Sequence, residues 1–195
     1  MKKFLTAVFV LMLFSAPTQA AEPVRIARLP IIFLNTIPDD ETCATLETKI
    51  ERALHIPLNG TLQLAEYLPL ETSARMLNDL WQERRAVNKR EKISTVIRPL
   101  ADALDADIVV CPILREYSQF VAGYSARLGE TILNSHARAE LIVYDRRTDT
   151  LTDKTASRVY RDSFSRIGTA SYLARDCFDK LIETTKLRQL ILDIR

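Results

Sequence analysis

The sequence predicts a single α/β domain, a sandwich in which helices flank a mixed β-sheet. Two runs of consecutive apolar, β-branched residues, at 24–34 and 107–114, are typical of strands buried on both faces. Segments between and after these runs have apolar residues at helical spacing. Residues 136–144 alternate in polarity, as half-exposed antiparallel strands do. Early strands separated by helices favour parallel pairing, and the late strands favour a meander.

The first half of the chain predicts strands separated by helices. After the strand over 24–34, Pro38 and the acids that follow it predict a helix start. This helix has Cys43 on its apolar face and closes at the Asn59-Gly60 turn, before a strand over 61–67. Two further helices follow, and Pro99 inside the second one predicts a kink or a restart.

The second half predicts a run of strands and one long helix. The strand over 107–114 continues in a more exposed form to 121, and a loop covers 123–129. The alternating strand, a polar turn over 145–149 and a returning strand over 151–164 come next. A helix covers 170–182, and the form of the apolar tail at 187–194 stays open. Since we find no repeat and no linker, we expect one domain over residues 21–195.

Residues 1–20 have the pattern of a cleavable bacterial signal peptide. Lys2 and Lys3 precede an apolar run over 4–14, and the segment ends in the small residue Ala20. The run is about half the ~20 residues that a membrane-spanning helix needs, which disfavours the alternative of an uncleaved anchor. No cysteine lies at the cleavage site for lipid attachment. We therefore expect a periplasmic or secreted bacterial protein with no stable membrane insertion after cleavage.

The charge balance of the exported chain excludes a long-range attraction for nucleic acid. The whole sequence has 27 basic and 25 acidic residues, and loss of Lys2 and Lys3 leaves 25 of each. The basic segment at 83–92 has no aromatic residues and is typical of a solvated helix end. With four glycines, the sequence also disfavours a phosphate-binding loop, and we expect no cofactor.

Three short motifs resemble a group of bacterial envelope domains. The first is Ile26-Ala27-Arg28-Leu29-Pro30, the second runs from Ala103 to Val110, and the third runs from Ala139 to Asp145 with Thr148-Asp149. The group includes the TolB N-terminal domain, CsgG and LpoB-type activators of peptidoglycan synthases. The resemblance implies an anticodon-binding-like α/β fold and a docking or assembly role. Pro112 departs from the group, which often has glycine there, and no lipid-anchoring cysteine is present.

The spacing of the titratable residues in the sequence predicts no catalytic or metal site. Neither His55 nor His136 has another metal ligand at a suitable distance in sequence, so we expect no metal. A serine–histidine site assembled in space stays open, although no serine lies in a G-x-S-x-G elbow. Asp105 and Asp107 bracket a helix-to-strand turn, where we expect a structural role rather than acid/base chemistry.

The three cysteines, Cys43, Cys111 and Cys177, have the sequence context of small buried apolar residues. Export would place them in an oxidising compartment. Because Cys43 and Cys177 both lie on apolar helix faces near helix starts, a disulfide between them is a hypothesis.

Aromatic residues concentrate in the late strands and predict an interface, which would comprise Tyr117, Phe120, Tyr124, Tyr144 and Tyr160. Ordinary packing of the sheet under the last helix is the alternative. The leading hypothesis is a non-enzymatic envelope protein that binds another envelope protein, with its oligomeric state open. A secreted hydrolase with a Ser/His or Cys/His site and a small-ligand carrier are the alternatives.

Overall fold

The computed structural model describes residues 22–125 and 130–194, with side chains for 22–121 and 132–194. The predicted signal peptide lies outside the described residues, so it stays a prediction. The strands are β1 (Val24–Arg28), β2 (Ile32–Phe33), β3 (Ala65–Tyr67), β4 (Ile108–Ser125), β5 (Glu130–Asp145) and β6 (Thr150–Ser163). The helices are α1 (Asp40–Leu54), α2 (Asn59–Leu62), α3 (Leu70–Val87), α4 (Ile97–Leu104), α5 (Ala170–Thr184) and α6 (Leu187–Leu192).

The strands form the predicted mixed sheet, in the order β3-β1-β4-β5-β6 with β2 also beside β4. β1 pairs in parallel with β3 and β4, whereas β5 pairs antiparallel with β4 and β6. The predicted strand over 24–34 is divided into β1 and β2. Pro30 lies between them and has no N–H to donate, and the ladder resumes where Ile32 pairs with Ile113.

Helices cover both faces of the sheet, so the fold has three layers. On one face, α1, α5 and α6 bury a core around Leu46, Ile50 and Phe178. On the other face, α3 and α4 bury a second core around Leu100 and Val109. The predicted flanking of a mixed sheet by helices is confirmed.

Local signals explain where the helices begin. The Asp39 carboxylate accepts hydrogen bonds from the backbone N–H of Thr42 and from its hydroxyl, both at 2.8 Å, which caps α1. Thr169 caps α5 through the N–H of Tyr172. Pro99 is the third residue of α4, where its missing N–H breaks no intrahelical bond, and the 3₁₀ turn Ile93–Thr95 precedes α4. The predicted restart is therefore present, a few residues before Pro99.

Three predicted segments differ in the structure. β3 begins at Ala65 rather than at 61, because the Asn59 side chain bonds both the N–H and the carbonyl of Ala65 at 2.8 Å and closes the loop over α2. The predicted loop over 123–129 begins later, since 123–125 belong to β4, and 126–129 lie outside the described residues. The apolar tail forms α6, which packs against the core.

Candidate functional site

The last three strands are long, and their outer halves carry a sheet face with exposed side chains. β4, β5 and β6 have 18, 16 and 14 residues. Beneath α3 and α4 their side chains are buried, as Ile142 is, but from Arg138 outward this face becomes exposed. We call this outer region the open face. It comprises Glu116, Ser118, Phe120, Asn134, His136, Arg138, Ser157, Val159 and Arg161.

A β-bulge and the strand register place these residues on one face. Leu114 pairs with Ala139 and Glu116 with Arg138, so Arg115 is an extra residue in β4. From Glu116 to Phe120, the even-numbered residues of β4 lie on the open face. Arg138 is also opposite Ser157, so one row of the face contains Glu116, Arg138 and Ser157.

His136 connects two side chains of that row. Its Nδ1 lies 3.0 Å from Oε2 of Glu116, and its Nε2 lies 3.1 Å from Oγ of Ser157. A neutral His136 that donates Nδ1–H to Glu116 accepts a hydrogen bond from the serine at Nε2. This is the connectivity of a serine, histidine and carboxylate relay. Sequence spacing missed it because the three residues come from three different strands.

Solvent reaches this relay. The side chains of His136 and Glu116 are 29 % and 40 % exposed, and Ser157 is exposed. His55, the other histidine, is exposed directly after α1 and is the C-cap of that helix. The structure therefore brings His136, and not His55, to a serine.

The aromatic residues predicted as an interface do not form one surface. Phe120 is 55 % exposed on the open face. Tyr144 is buried against α4, where its hydroxyl donates to Asp149 at 3.0 Å and its ring contacts Arg98. Tyr117 and Tyr160 are half-buried against the core on the α5 side. Tyr124 lies in β4, but its side chain is outside the described residues. Of the four aromatic residues whose side chains are described, two lie on the α5 side and one is covered by α4, so only Phe120 lies on the open face.

The outer edge of the sheet is β6. Among the described strands, none pairs with the side of β6 opposite β5. Arg158 Nη1 donates to the carbonyl of Ser157 at 3.1 Å, while its Nε bonds Asp176 on α5. The N–H of Arg146 donates to the Asp107 carbonyl at 2.7 Å, so the peptide groups of the even-numbered residues of β5 face β4. Ser157 pairs with the even-numbered Arg138, and its own peptide groups therefore face the outer edge.

The structure contradicts the hypothetical Cys43–Cys177 disulfide, since all three cysteines are free. Two contacts fix the level of α1 against α5, Thr42 with Ser171 and Lys49 with Asp179. At 1.5 Å per residue, these contacts put Cys177 about 6–7.5 Å beyond Cys43 along the helix axes. Packed helices are also separated by ~8–10 Å, which is too far for a disulfide at this offset. Cys111 and Cys177 are buried as predicted, whereas Cys43 is half-buried.

The Asp105 and Asp107 pair has the predicted structural role. Asp105 ends α4 with a positive φ of 49°, and its carboxylate binds Arg25 at 2.7 Å and Arg146 at 2.8 Å. The Asp107 carboxylate accepts the backbone N–H of Arg25 at 2.8 Å. The hydrogen bond from Arg146 and the charge of Arg25 hold the pKa of Asp105 below its usual value. A carboxyl group with a lowered pKa is a poor general acid at neutral pH.

An apolar cleft of about 280 Å³ lies between β2 and α3. Its lining includes Pro30, Ile32, Leu34 and Trp81. This volume is just below the roughly 300–1,000 Å³ typical of small-molecule sites. Over residues 22–125 and 130–194, no cluster of three histidine, cysteine or acidic side chains could hold a metal ion. Within the same ranges, no helix has the length and apolarity needed to cross a membrane.

No protein-family model matches the sequence, and no curated protein is significantly similar to it. Comparison with solved structures finds several that are similar to this chain at low sequence identity. The hypothetical protein CT253 from Chlamydia trachomatis is 14 % identical, with 87 % of this chain and 98 % of that chain covered and a TM-score of 0.47. Lipoprotein GNA1162 from Neisseria meningitidis is 16 % identical, with coverages of 83 % and 99 % and a TM-score of 0.37.

The LpoB C-terminal domain from Salmonella enterica is 8 % identical, with 76 % of this chain and 91 % of that chain covered and a TM-score of 0.32. The resemblance of the three sequence motifs to the group of TolB, CsgG and LpoB-type activators stays a prediction. At these identities and TM-scores, nothing about the activity of this chain follows from its similarity to the solved structures.

Proposed function

We propose that this chain is an exported, non-enzymatic envelope protein that binds another protein at the β6 edge and the adjoining open face. The observation that carries the proposal is the outer edge of β6, a strand of 14 residues with no strand pairing on that side among the described residues. An unpaired edge of this length offers a row of backbone donors and acceptors to an added strand.

The side chains of β6 favour specific pairing over aggregation. Asp153, Lys154, Arg158, Arg161 and Asp162 place charges of both signs along the edge. Charged side chains on an edge strand oppose indiscriminate pairing, because only a partner with complementary charges can approach. The charges therefore oppose indiscriminate strand pairing at this edge, although no described strand pairs with it.

The open face adds side-chain contacts beside that edge. Phe120 and Val159 are 55 % and 69 % exposed, and they lie among the polar side chains of His136 and Arg138. Exposed aromatic and aliphatic groups surrounded by polar ones are typical of protein interfaces. A partner strand on β6 would bring its own side chains alongside this surface.

Photocrosslinking in the source cell tests the proposal. A photoreactive amino acid at Val159 should yield a defined adduct with a protein, which mass spectrometry would identify. The same probe at Val87, which is 90 % exposed at the end of α3, is the matched control and should yield none. Equal labelling from both positions, or none from Val159, would show that the edge is not a binding site.

The predicted export signal is tested by the mature N-terminus. We expect N-terminal sequencing of protein from the envelope fraction to begin at Ala21. A cytoplasmic protein that retains Met1 or Lys2 would exclude an envelope partner.

The contact between His136 and Ser157 favours a second candidate function, a hydrolase of exposed ester bonds. Ser157 Oγ would attack the ester carbonyl, its proton would pass to His136 Nε2, and the alcohol would leave with that proton. Water would then release the acid by the same route. Glu116 would orient the imidazole and stabilise its positive charge.

A fluorophosphonate probe tests this second function directly, because it labels activated serines irrespective of substrate. Ser157→Ala and His136→Ala should abolish labelling, whereas Ser118→Ala, which changes an exposed serine of the same face, should leave it intact. Absence of labelling in the unaltered protein would leave Ser157 a surface hydroxyl and support the non-enzymatic proposal.

A further inference from the structure

Two side chains of opposite charge on β6 are not fully neutralised by other charges of the same chain. Asp153 and Arg161 lie on the same side of β6. Partial burial and the nearby Glu140 carboxylate raise the pKa of Asp153. The charges of Arg115 and Lys92 oppose this shift, but Arg115 is already bonded to Glu140. Arg161 is exposed and makes no ion pair within the part of the chain that the structure describes. An opposite charge on another molecule would stabilise the charged form of each group.

We infer that the partner at the β6 edge is a second copy of this chain, whose β6 pairs antiparallel with the first about a two-fold axis at Ser157. This inference rests on the proposed function, since it names the protein that binds the edge. An interface of this type is self-complementary, so each contact occurs twice.

The two-fold at Ser157 determines every opposing pair. Asp153 of each copy faces Arg161 of the other, on the same side of the joined sheet as the open face. Thr155 faces Val159, so a β-branched partner covers an apolar side chain that is 69 % exposed in the single chain. The edge-facing peptide groups of Ser157 meet those of the second Ser157 and complete the ladder.

Charge selects this register over its neighbours. Moving the two-fold axis by one residue, from Ser157 to Ala156, puts Lys154 opposite Arg158. Moving the axis to Arg158 puts this residue opposite Arg158 of the second copy. Like charges directly opposite each other destabilise a strand pair. With the axis at Ser157, Lys154 faces the ring of Tyr160, and Arg158 faces Ala156, so like charges are not opposed.

The pairing would also join the two open faces into one continuous surface. Ser157 and its relay partner His136 would lie near the centre of that surface, where the second copy limits the access of solvent. The dimer would thus have twelve strands in one sheet, six from each copy.

A cysteine at the axis tests the register. In a Cys43→Ser background, Ser157→Cys should form a disulfide-linked dimer on mild oxidation, because directly opposite Cα atoms in such a pair are ~5.5 Å apart. Phe120→Cys on the same face, but on β4 away from the edge, should remain monomeric under the same conditions. A dimer from Phe120→Cys alone, or from neither, would overturn the register.

Charge reversal tests the same pairing without a covalent bond. Light scattering across a dilution series should give twice the monomer mass for the unaltered protein, and the monomer mass for Asp153→Arg. The double variant Asp153→Arg with Arg161→Asp should restore the dimer. Asp162→Arg, which lies on the opposite side of β6 and faces Thr152, should remain dimeric. A dimer that is indifferent to Asp153→Arg would overturn the inference.

The two proposals fail in different ways. If the Val159 photocrosslink contains a different envelope protein and none of this chain's own peptides, the second copy is wrong and the binding function stands. If Val159 gives no more adduct than Val87, the binding function itself is wrong.

Discussion

The buried carboxylate of Glu140 accepts a hydrogen bond from the Arg115 guanidinium across β4 and β5. The Glu140 side chain is 5 % exposed and Arg115 is 34 % exposed. Arg115 occupies the bulge in β4, so the extra residue that reorders the strand also supplies the counter-ion for a buried acid. The pair lies where the sheet face passes from the cover of α4 to the open face.

Loss of this cation should destabilise the fold. Arg115→Met leaves the Glu140 carboxylate buried without its partner, which should cost about 1–3 kcal/mol in the free energy of unfolding. Arg138→Met removes an exposed ion pair with Glu116 and should cost less than ~1 kcal/mol. Urea denaturation compares the two, and equal losses would show that the pair contributes nothing as a buried contact.

The cap of α1 predicts a pH dependence of stability. Hydrogen bonds from the backbone N–H and then the hydroxyl of Thr42 lower the pKa of Asp39. Because the folded pKa is below the unfolded value of about 3.9, the contribution of Asp39 is present above that pH and is lost as the pH falls through the folded pKa.

Asp39→Asn separates titration from capping, since asparagine also caps helices well. The variant should be less stable than the unaltered protein near pH 7, and the difference should vanish in acid. Urea midpoints measured between neutral pH and pH 2.5 would show it. A difference that is constant over this range would mean that the Asp39 charge has no role.

The thiols should differ in reactivity. Burial raises the pKa of Cys177 to about 11 and raises that of Cys111 further. Burial and the charge of Asp39 also raise the pKa of Cys43, but its side chain is half-buried. Since the thiolate is the reactive form, alkylation of the folded protein should modify Cys43 slowly and the other two only after unfolding.

Mass spectrometry of the alkylated protein would establish that order. The intact mass should be the same with and without reductant, because all three cysteines are free. A mass that rises by two hydrogens on reduction would restore the discarded disulfide.

Gly168 has a packing role that predicts intolerance of any side chain. A Cβ there would overlap the ring of Tyr160, whose hydroxyl is bonded to the Ser163 carbonyl at 2.7 Å. Gly168→Ala should therefore destabilise the protein by about 1–3 kcal/mol through overpacking. Gly60→Ala is the control, because a Cβ at Gly60 meets no atom within 4 Å, and it should be neutral or stabilising.

A double variant identifies the cause. If the clash with the ring is responsible, Gly168→Ala should cost much less when Tyr160 is already Ala. Additive losses in thermal or urea unfolding would exclude the ring as the source.

Sequence patterns predicted the parts of the fold that depend on neighbouring residues. The apolar runs at 24–34 and 107–114, the helix start near Asp39 and the restart before Pro99 all have local signals. The predicted strand was shorter than β4, because residues 123–125 gain strand structure only from pairing with β5. Such pairing has no signature within the residues themselves.

The candidate site depended on the bulge at Arg115. In a regular ladder Arg115 would pair with Arg138, and Glu116 would pair with Ala137 on the α5 side of the sheet, where it could not reach His136. The same shift determines that Phe120 is exposed and Tyr117 half-buried. The concentration of aromatic residues along the late strands predicted one cluster, but the sheet divides these residues between its faces. The relay had no signal in the sequence because its three residues come from three strands.

The sheet topology also has a consequence for the order of folding. β4, β5, β6 and α5 are consecutive in the chain, so their contacts close short loops. β1 pairs with β4, which is distant in sequence, and β3 joins the sheet only beside β1. Local contacts form faster than distant ones. We expect the C-terminal half to template the N-terminal strands, and pulsed hydrogen exchange should protect β5 amides before those of β1.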